Sequence, residues 1–257
     1  MSGTAAALRL VTAPKKRRDD TLELRARSLS ARYGAADADE ILKRAIVEEF
    51  PERIALVSSF GAESAALLHL VAQVSPSTPV LFLNTGKHFA QTLGYRKKLA
   101  QELGLTDVRD IRPDTEELDA RDPKGALWQT DPDECCTLRK VLPLDRALAG
   151  FDAWITGRKQ FHGGLRAALP MFEASAPYIK VNPIVRWSAA EVAAYAERHG
   201  LPPHPLVAQG FPSIGCWPCT HPAGPSEDSR AGRWRGSAKT ECGIHLIGAA
   251  TPAAQLS

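Results

Sequence analysis

No stretch of 18 or more apolar residues occurs in this chain, so no membrane-spanning helix is expected. Charge of one sign is scarce too: 32 Lys and Arg stand against 29 Asp and Glu, a net +3. That balance gives no general case for nucleic acid as a partner, although it suits a small anion. There is no internal repeat and no basic recognition helix. A 257-residue chain buries enough core to need no disulfide staples. Lys15, Lys16, Arg17 and Arg18 follow a weakly apolar start, the reverse of a signal peptide. Residues 1–25 therefore read as a disordered, solvated tail, and the expected location is cytoplasmic. That compartment keeps thiols reduced, so the five cysteines need a reason other than disulfides.

What is present is an alternation of apolar runs and helical patterns. Asp37 and Glu40 have capping-box spacing, and Ile41, Leu42, Ala45, Ile46 and Phe50 share a face, which predicts a helix over about 38–50. IALVSS (54–59) reads as a buried strand, followed by the turn FGAES and a helix carrying Leu67, Leu68 and Val71. PVLFLN (79–84) is a second strand, with the turn TGKHF and a helix to about Leu103. A third strand lies near 107–112, a fourth in AWITG (153–157), and PYIKVNPI reads as an edge strand. Ser188 and Glu191 cap a helix to about His199. This pattern predicts an α/β fold: an open, mostly parallel twisted sheet with helices on both faces. In such sheets ligands bind beyond the carboxyl ends of the strands. From residue 200 onward Gly and Pro are frequent and little regular structure is expected. One domain over 26–257, irregular at its C-terminal end and mobile from about 222, is the simplest organisation.

The cysteines fall into three groups. Cys135 and Cys136 are adjacent on a predicted helix, Cys216 and Cys219 form C-x-x-C, and Cys242 stands alone in KTECGIH. Four thiolates in two close pairs suit a metal. Adjacent helical positions diverge by roughly a hundred degrees, which fits a cluster with irons at separate corners better than one zinc ion. Zinc and plain buried cysteines both stay open on pattern alone. Near Lys239 and His245, Cys242 has the surroundings of a nucleophile or of an inconsequential surface thiol, and Glu241 opposes a lowered pKa.

Taken together, SSFGAES, TGRKQFHGG, KVNPIVRW, GFPSIGCWPCT, RAGRW and KTECGIH, in that order, resemble the adenylyl sulfate and phosphoadenylyl sulfate reductase family in its cluster-containing branch. The resemblance spans about residues 30–247. It implies a fold of the adenine-nucleotide alpha hydrolase type. It also implies that Cys135, Cys136, Cys216 and Cys219 ligate a [4Fe–4S] cluster and that Cys242 is the catalytic nucleophile.

The other motifs have matching chemistry. SSFGAES is a strand-to-helix turn that offers N–H groups and hydroxyls to an anion, with Ser58, Ser59, Gly61 and Ser64 as the expected contacts. The resemblance implies adenosine contacts at LNTGKHF, where Asn84 stands in place of the family's usual Asp. Lys87 reads as a solvated lysine or a phosphate contact. Arg158 and Lys159 follow the fourth strand. Position within the matching motifs favours Arg166, Arg230 and Arg233 as guanidinium contacts to a phosphosulfate. Lys140 lies four residues after Cys136, on the same helix face, and the resemblance places it between cluster and substrate.

The implied reaction is reduction of adenylyl sulfate (APS) to sulfite and AMP through an S-sulfo adduct on Cys242, with thioredoxin or glutaredoxin as a separate reductant. A separate reductant is expected because no thioredoxin-like segment follows Cys242 in this sequence. Phosphoadenylyl sulfate (PAPS), or both nucleotides, is the alternative substrate; the cluster cysteines favour APS. An ATP pyrophosphatase or adenylyltransferase of related fold carries an SGGxDS-type loop, and SSFGAES lacks its paired glycines. A metal-binding regulator of nucleic acid is the non-enzymatic alternative, and it wants the basic helix that the sequence lacks.

Overall fold

The structure, a computed structural model, describes residues 15–224, 227–236, 239 and 241–246. Its centre is a six-stranded sheet of order β3-β2-β1-β4-β6-β5. The strands are β1 (Ile54–Ser58), β2 (Val80–Leu83), β3 (Val108–Ile111), β4 (Ala153–Ile155), β5 (Phe172–Ser175) and β6 (Tyr178–Val181). All neighbours pair in parallel except β5 with β6. Strands β1, β2, β4 and β6 are short apolar runs because both their faces are covered.

Helices lie on both faces, as expected. Ile54, Leu56, Val80 and Phe82 point to one side. There they pack with α1 (Lys15–Tyr33), α2 (Ala38–Lys43) and α3 (Ser64–Val74), and with Tyr95 and Leu99 of α4 (Ala90–Glu102). Ala55, Leu81 and Trp154 point to the other side, against Leu144 and Leu148. Short helices α5 (Thr115–Arg121), α6 (Leu127–Thr130) and α7 (Pro132–Cys136) lead into a π-helical turn, Thr137–Val141, and then α8 (Leu142–Leu148). Helix α9 (Ala189–Arg198) begins with the reciprocal Ser188–Glu191 capping box read from the sequence. The helix expected over 38–50 is α2 continued by a π-helical stretch, Arg44–Glu49. Asp37 accepts from the Glu40 backbone N–H, while the Glu40 carboxylate turns to Arg44 instead of closing the box.

Two expectations change. The tail expected over 1–25 is helical from Lys15, as part of α1; residues 1–14 lie outside those described. Leu22, Ala26, Leu29 and Tyr33 form an apolar stripe within a charged sequence, and Ala26 and Leu29 are buried. Ser30 then exchanges hydrogen bonds with the Phe172 backbone of β5. Nor is PYIKVNPI an edge strand. β6 lies inside the sheet with all four residues buried, and β5 is the antiparallel strand that covers its outer side.

The chain runs from β1 outward through β2 and β3, then returns to β4 on the other side of β1. The carboxyl ends of β1 and β4 therefore flank a topological switch point, where a crevice opens. The expected mobility from about 222 falls partly on residues outside those described. The described residues of that stretch fold back over the crevice.

Candidate active site

A cavity of about 230 Å³ occupies this crevice. All eight contacts expected from the sequence line it: Ser58, Ser59, Gly61, Ser64, Lys140, Arg166, Arg230 and Arg233. Cys242 lines it too.

Its floor is the turn after β1. Phe60 is held at φ +48, an uncommon conformation for a non-glycine residue. The ring is fully buried and meets Phe82 edge-on at 5.7 Å. The Phe60 backbone N–H donates to the Ser58 hydroxyl at 3.2 Å. No side chain caps the first turn of α3, so its amino end faces the cavity without an internal carboxylate or hydroxyl on it. Such an end favours an anion.

The rim is cationic. Lys140, Arg158, Lys159, Arg166, Arg230 and Arg233 line the cavity against two carboxylates, Glu63 and Glu241. Lys159 pairs with Glu63 at 2.7 Å, and His162 lies 3.2 Å from the same oxygen. Burial works to raise the Glu63 pKa, but the His162 hydrogen bond and the Lys159 ammonium outweigh it and bring it to about 2. Arg158 is buried and ion-paired with Glu173. Arg166 grips Glu241 through two bonds, at 2.6 and 2.8 Å, and Arg230 approaches the same carboxylate at 3.6 Å. Trp234, at φ +49, gathers the cations behind it: Arg233 lies 4.5 Å from its ring centre, Arg230 5.8 Å and Lys239 5.9 Å.

The other four cysteines line a second, smaller cavity behind Lys140, together with Lys87, Trp128, Pro132, Arg139 and Pro218. Lys140 and Cys216 belong to both cavities and form the partition between them. Local sequence explains the placement. Asp131 caps α7 with Pro132 in its first turn, which presents Cys135 and Cys136. Arg139 is clamped by Asp122 at 2.7 Å and the Thr85 carbonyl at 3.0 Å. The C-x-x-C loop is pinned to the turn after β2: His88 bridges to Cys216, Trp217 N–H donates to the Lys87 carbonyl at 2.8 Å, and the Thr85 hydroxyl lies 3.3 Å from Cys216 Sγ. LNTGKHF thus serves the cysteine loop, while Leu83 and His88 reach the main cavity. Lys87 donates to the Gly125 carbonyl at 2.6 Å and is absent from the main cavity.

Burial raises the Cys135 thiol to about 11. Burial opposes ionisation of Cys216 as well, but there Lys140, the Thr85 hydroxyl and Arg233 outweigh it and lower the pKa. Lys140 in turn is held protonated: burial works against its charge, and the Cys216, Cys242 and Cys136 sulfurs outweigh burial. Among the described residues no three His, Cys, Asp or Glu side chains converge on a position for one metal ion. Four thiols around one cavity, backed by lysine and arginine, suit a larger polynuclear group that carries thiolate charge.

Sequence reasoning missed several of these residues. Glu63 and His162 lie inside motifs already singled out. Lys180 is a lysine within an apolar strand, 1% exposed, which is itself a signal. Burial pushes its pKa down to about 8, with Glu173 holding it from falling further.

A mostly parallel α/β sheet with a cationic crevice at its switch point is consistent with a fold of the adenine-nucleotide alpha hydrolase type. The sequence profile of the phosphoadenosine phosphosulfate reductase domain matches residues 53–222, and the chain belongs to that family. It is 51% identical over 230 residues to the adenosine 5′-phosphosulfate reductase of Mesorhizobium japonicum, covering 90% of this chain and 91% of that one. It is 39% identical over 236 residues to the enzyme of the same name from Rhodococcus opacus, covering 88% and 95%. Among solved structures, phosphoadenylyl-sulfate reductase from Candida auris, in a phosphate complex, matches with a TM-score of 0.62 at 26% identity, covering 82% of this chain and 99% of that one. FMN adenylyltransferase from Candida glabrata shares the fold alone, with a TM-score of 0.53 at 14% identity over 79% and 75%.

Proposed function

We propose that this protein reduces adenylyl sulfate to sulfite and AMP, with Cys242 as nucleophile and a thioredoxin-type dithiol as reductant. The observation that carries the reading is the shared cavity: Cys242, Lys140 and four arginines line one crevice at the carboxyl end of the sheet. The names of the relatives, adenosine 5′-phosphosulfate reductases over about nine-tenths of their length, support the substrate.

The nucleotide lies at the carboxyl ends of β1 and β4, its phosphosulfate among the amino end of α3, Lys140, Arg166, Arg230 and Arg233. Ser58, Ser59, Gly61 and Ser64 line the same wall. The Cys242 thiolate attacks the sulfate sulfur, and the bond from that sulfur to the phosphate-bridging oxygen breaks. AMP leaves with the electron pair, and the surrounding cations stabilise its developing charge. Arg233 Nε and Trp234 Nε1 are buried donors without a protein partner among the described residues, and ligand oxygens would satisfy them. A thiolate of reduced thioredoxin or glutaredoxin then attacks the Cys242 sulfur and releases sulfite. Its second thiol resolves the mixed disulfide, so the dithiol supplies both electrons.

Cys135, Cys136, Cys216 and Cys219 would hold a [4Fe–4S] cluster, which supplies a fixed charge and a structural tie behind Lys140. Lys140, on the partition, transmits that environment to the phosphosulfate. A cytoplasmic setting fits reduced thiols.

The test is incubation with APS or PAPS without reductant. APS should give a mass gain of about 80 Da on the peptide bearing Cys242, with one AMP released. Adduct on another cysteine sinks the nucleophile assignment. Equal or faster reaction with PAPS moves the enzyme to the alternative substrate.

A further inference from the structure

Lys180 sits on an interior strand whose four residues are all buried. A lysine there loses several kcal/mol of hydration and needs compensation. Glu173 Oε1, at 3.2 Å, supplies the charge. The ammonium also makes a hydrogen bond outside the sheet, at 2.6 Å, to the carbonyl of His245. It lies 5.5 Å from the ring centre of Trp154, a fully buried residue of β4. On that same indole lies the His245 imidazole, 5.5 Å away with 2° between the planes. Lys180 and Trp154 thus hold the backbone and the ring of a single residue, three positions after Cys242.

Gly243 stands at φ +83, where a side chain would be strained, and a Cβ there would already meet Val141 at 3.4 Å. On the far side of Cys242, Glu241 occupies the Arg166 fork. Arg166 cannot use those N–H groups for Glu241 and for an incoming phosphosulfate at once. Lys180 itself does not line the cavity.

We propose that Lys180 and Trp154 form an anchor that grips the nucleophile segment at His245 and so fixes Cys242 at the crevice wall when a bound anion takes Arg166 from Glu241 and frees the other end of that segment. Lys180 is a positioning residue for this step. The proposal rests on Cys242 being the nucleophile.

The test uses the cluster-loaded full chain as wild type, Lys180→Met, His245→Ala and the double variant. Adduct formation on Cys242 is timed by intact mass at saturating APS without thioredoxin, and AMP affinity is measured in parallel. Each single variant should slow adduct formation on the order of tenfold to a hundredfold, and Lys180→Met, which lies outside the cavity, should leave AMP affinity unchanged. The double should be no slower than the slower single, because both act through one anchor. A wild-type rate in either single, a multiplicative loss in the double, or an AMP affinity of Lys180→Met that falls in step with its rate overturns the anchor. If Lys180→Met fails to fold, His245→Ala decides by the same criteria. If wild type forms no adduct at all, the proposed reaction fails. The anchor is then read by iodoacetamide: Cys242 should alkylate faster in His245→Ala than in wild type, and an equal rate overturns it.

Discussion

Arg166 holds Glu241 through both of its near nitrogens, at 2.6 and 2.8 Å, and so ties the residue before Cys242 to the anion site. The carboxylate stands where a phosphosulfate would find its guanidinium partner. Glu241→Gln keeps the shape and loses the charge, so the fork is released more easily. AMP should bind about fivefold tighter, from roughly 1 kcal/mol of lost charge-assisted bonding. Equilibrium titration of both proteins checks this, and weaker binding by the variant would count against competition for Arg166.

Gly215 precedes the C-x-x-C loop, and a Cβ placed there would lie 2.3 Å from Arg233 Nη2. A flexible arginine can retreat, so Gly215→Ala should fold and keep its iron. The retreat removes one cation from the cavity wall. AMP affinity should fall by about tenfold, the worth of one charge-assisted hydrogen bond at its lower end. Unchanged affinity would show that Arg233 does not reach the nucleotide.

The four cysteines behind Lys140 should bind iron as a set. Anaerobically purified protein is expected to carry about four iron and four sulfide per chain. Cys135→Ser or Cys219→Ser should lose the iron and most activity, whereas Cys242→Ser should keep the iron and lose turnover. Stoichiometric zinc without sulfide would sink the cluster assignment.

His204 is buried, accepts the Leu206 backbone N–H on Nδ1 at 3.1 Å, and meets the Thr92 hydroxyl through Nε2 at 3.1 Å. Burial lowers its pKa to about 4. Between pH 6.5 and about 4 the unfolded chain therefore binds the extra proton and the folded one does not. The contribution is whole above 6.5 and is lost as pH falls through that window, by at most about 1.4 kcal/mol per pH unit. Chemical denaturation across the window should show this loss, and His204→Asn should flatten it.

The sequence by itself determined much of this protein. Short apolar runs marked β1, β2 and β4, because parallel strands covered on both faces leave few polar positions to confuse the reading. The β1 turn was legible from its residue types, the C-x-x-C loop and the arginine motifs through the family they resemble, and all eight expected contacts meet in one cavity. Two local features misled it. Charge in LELRARSLSARY hid the buried stripe of α1, and the interior place of β6 depends on β5, whose four residues FEAS carry little strand signal. Only the tertiary structure decided how the end of the chain is used. The pairing of Glu241 with Arg166 joins positions 75 residues apart, and that of Lys180 with His245 joins positions 65 apart. Spacing rules reach one turn of helix or one strand pair. Contacts at such separations exist only after the sheet has brought β4 and β6 side by side, and their partners carry no mark in the local sequence.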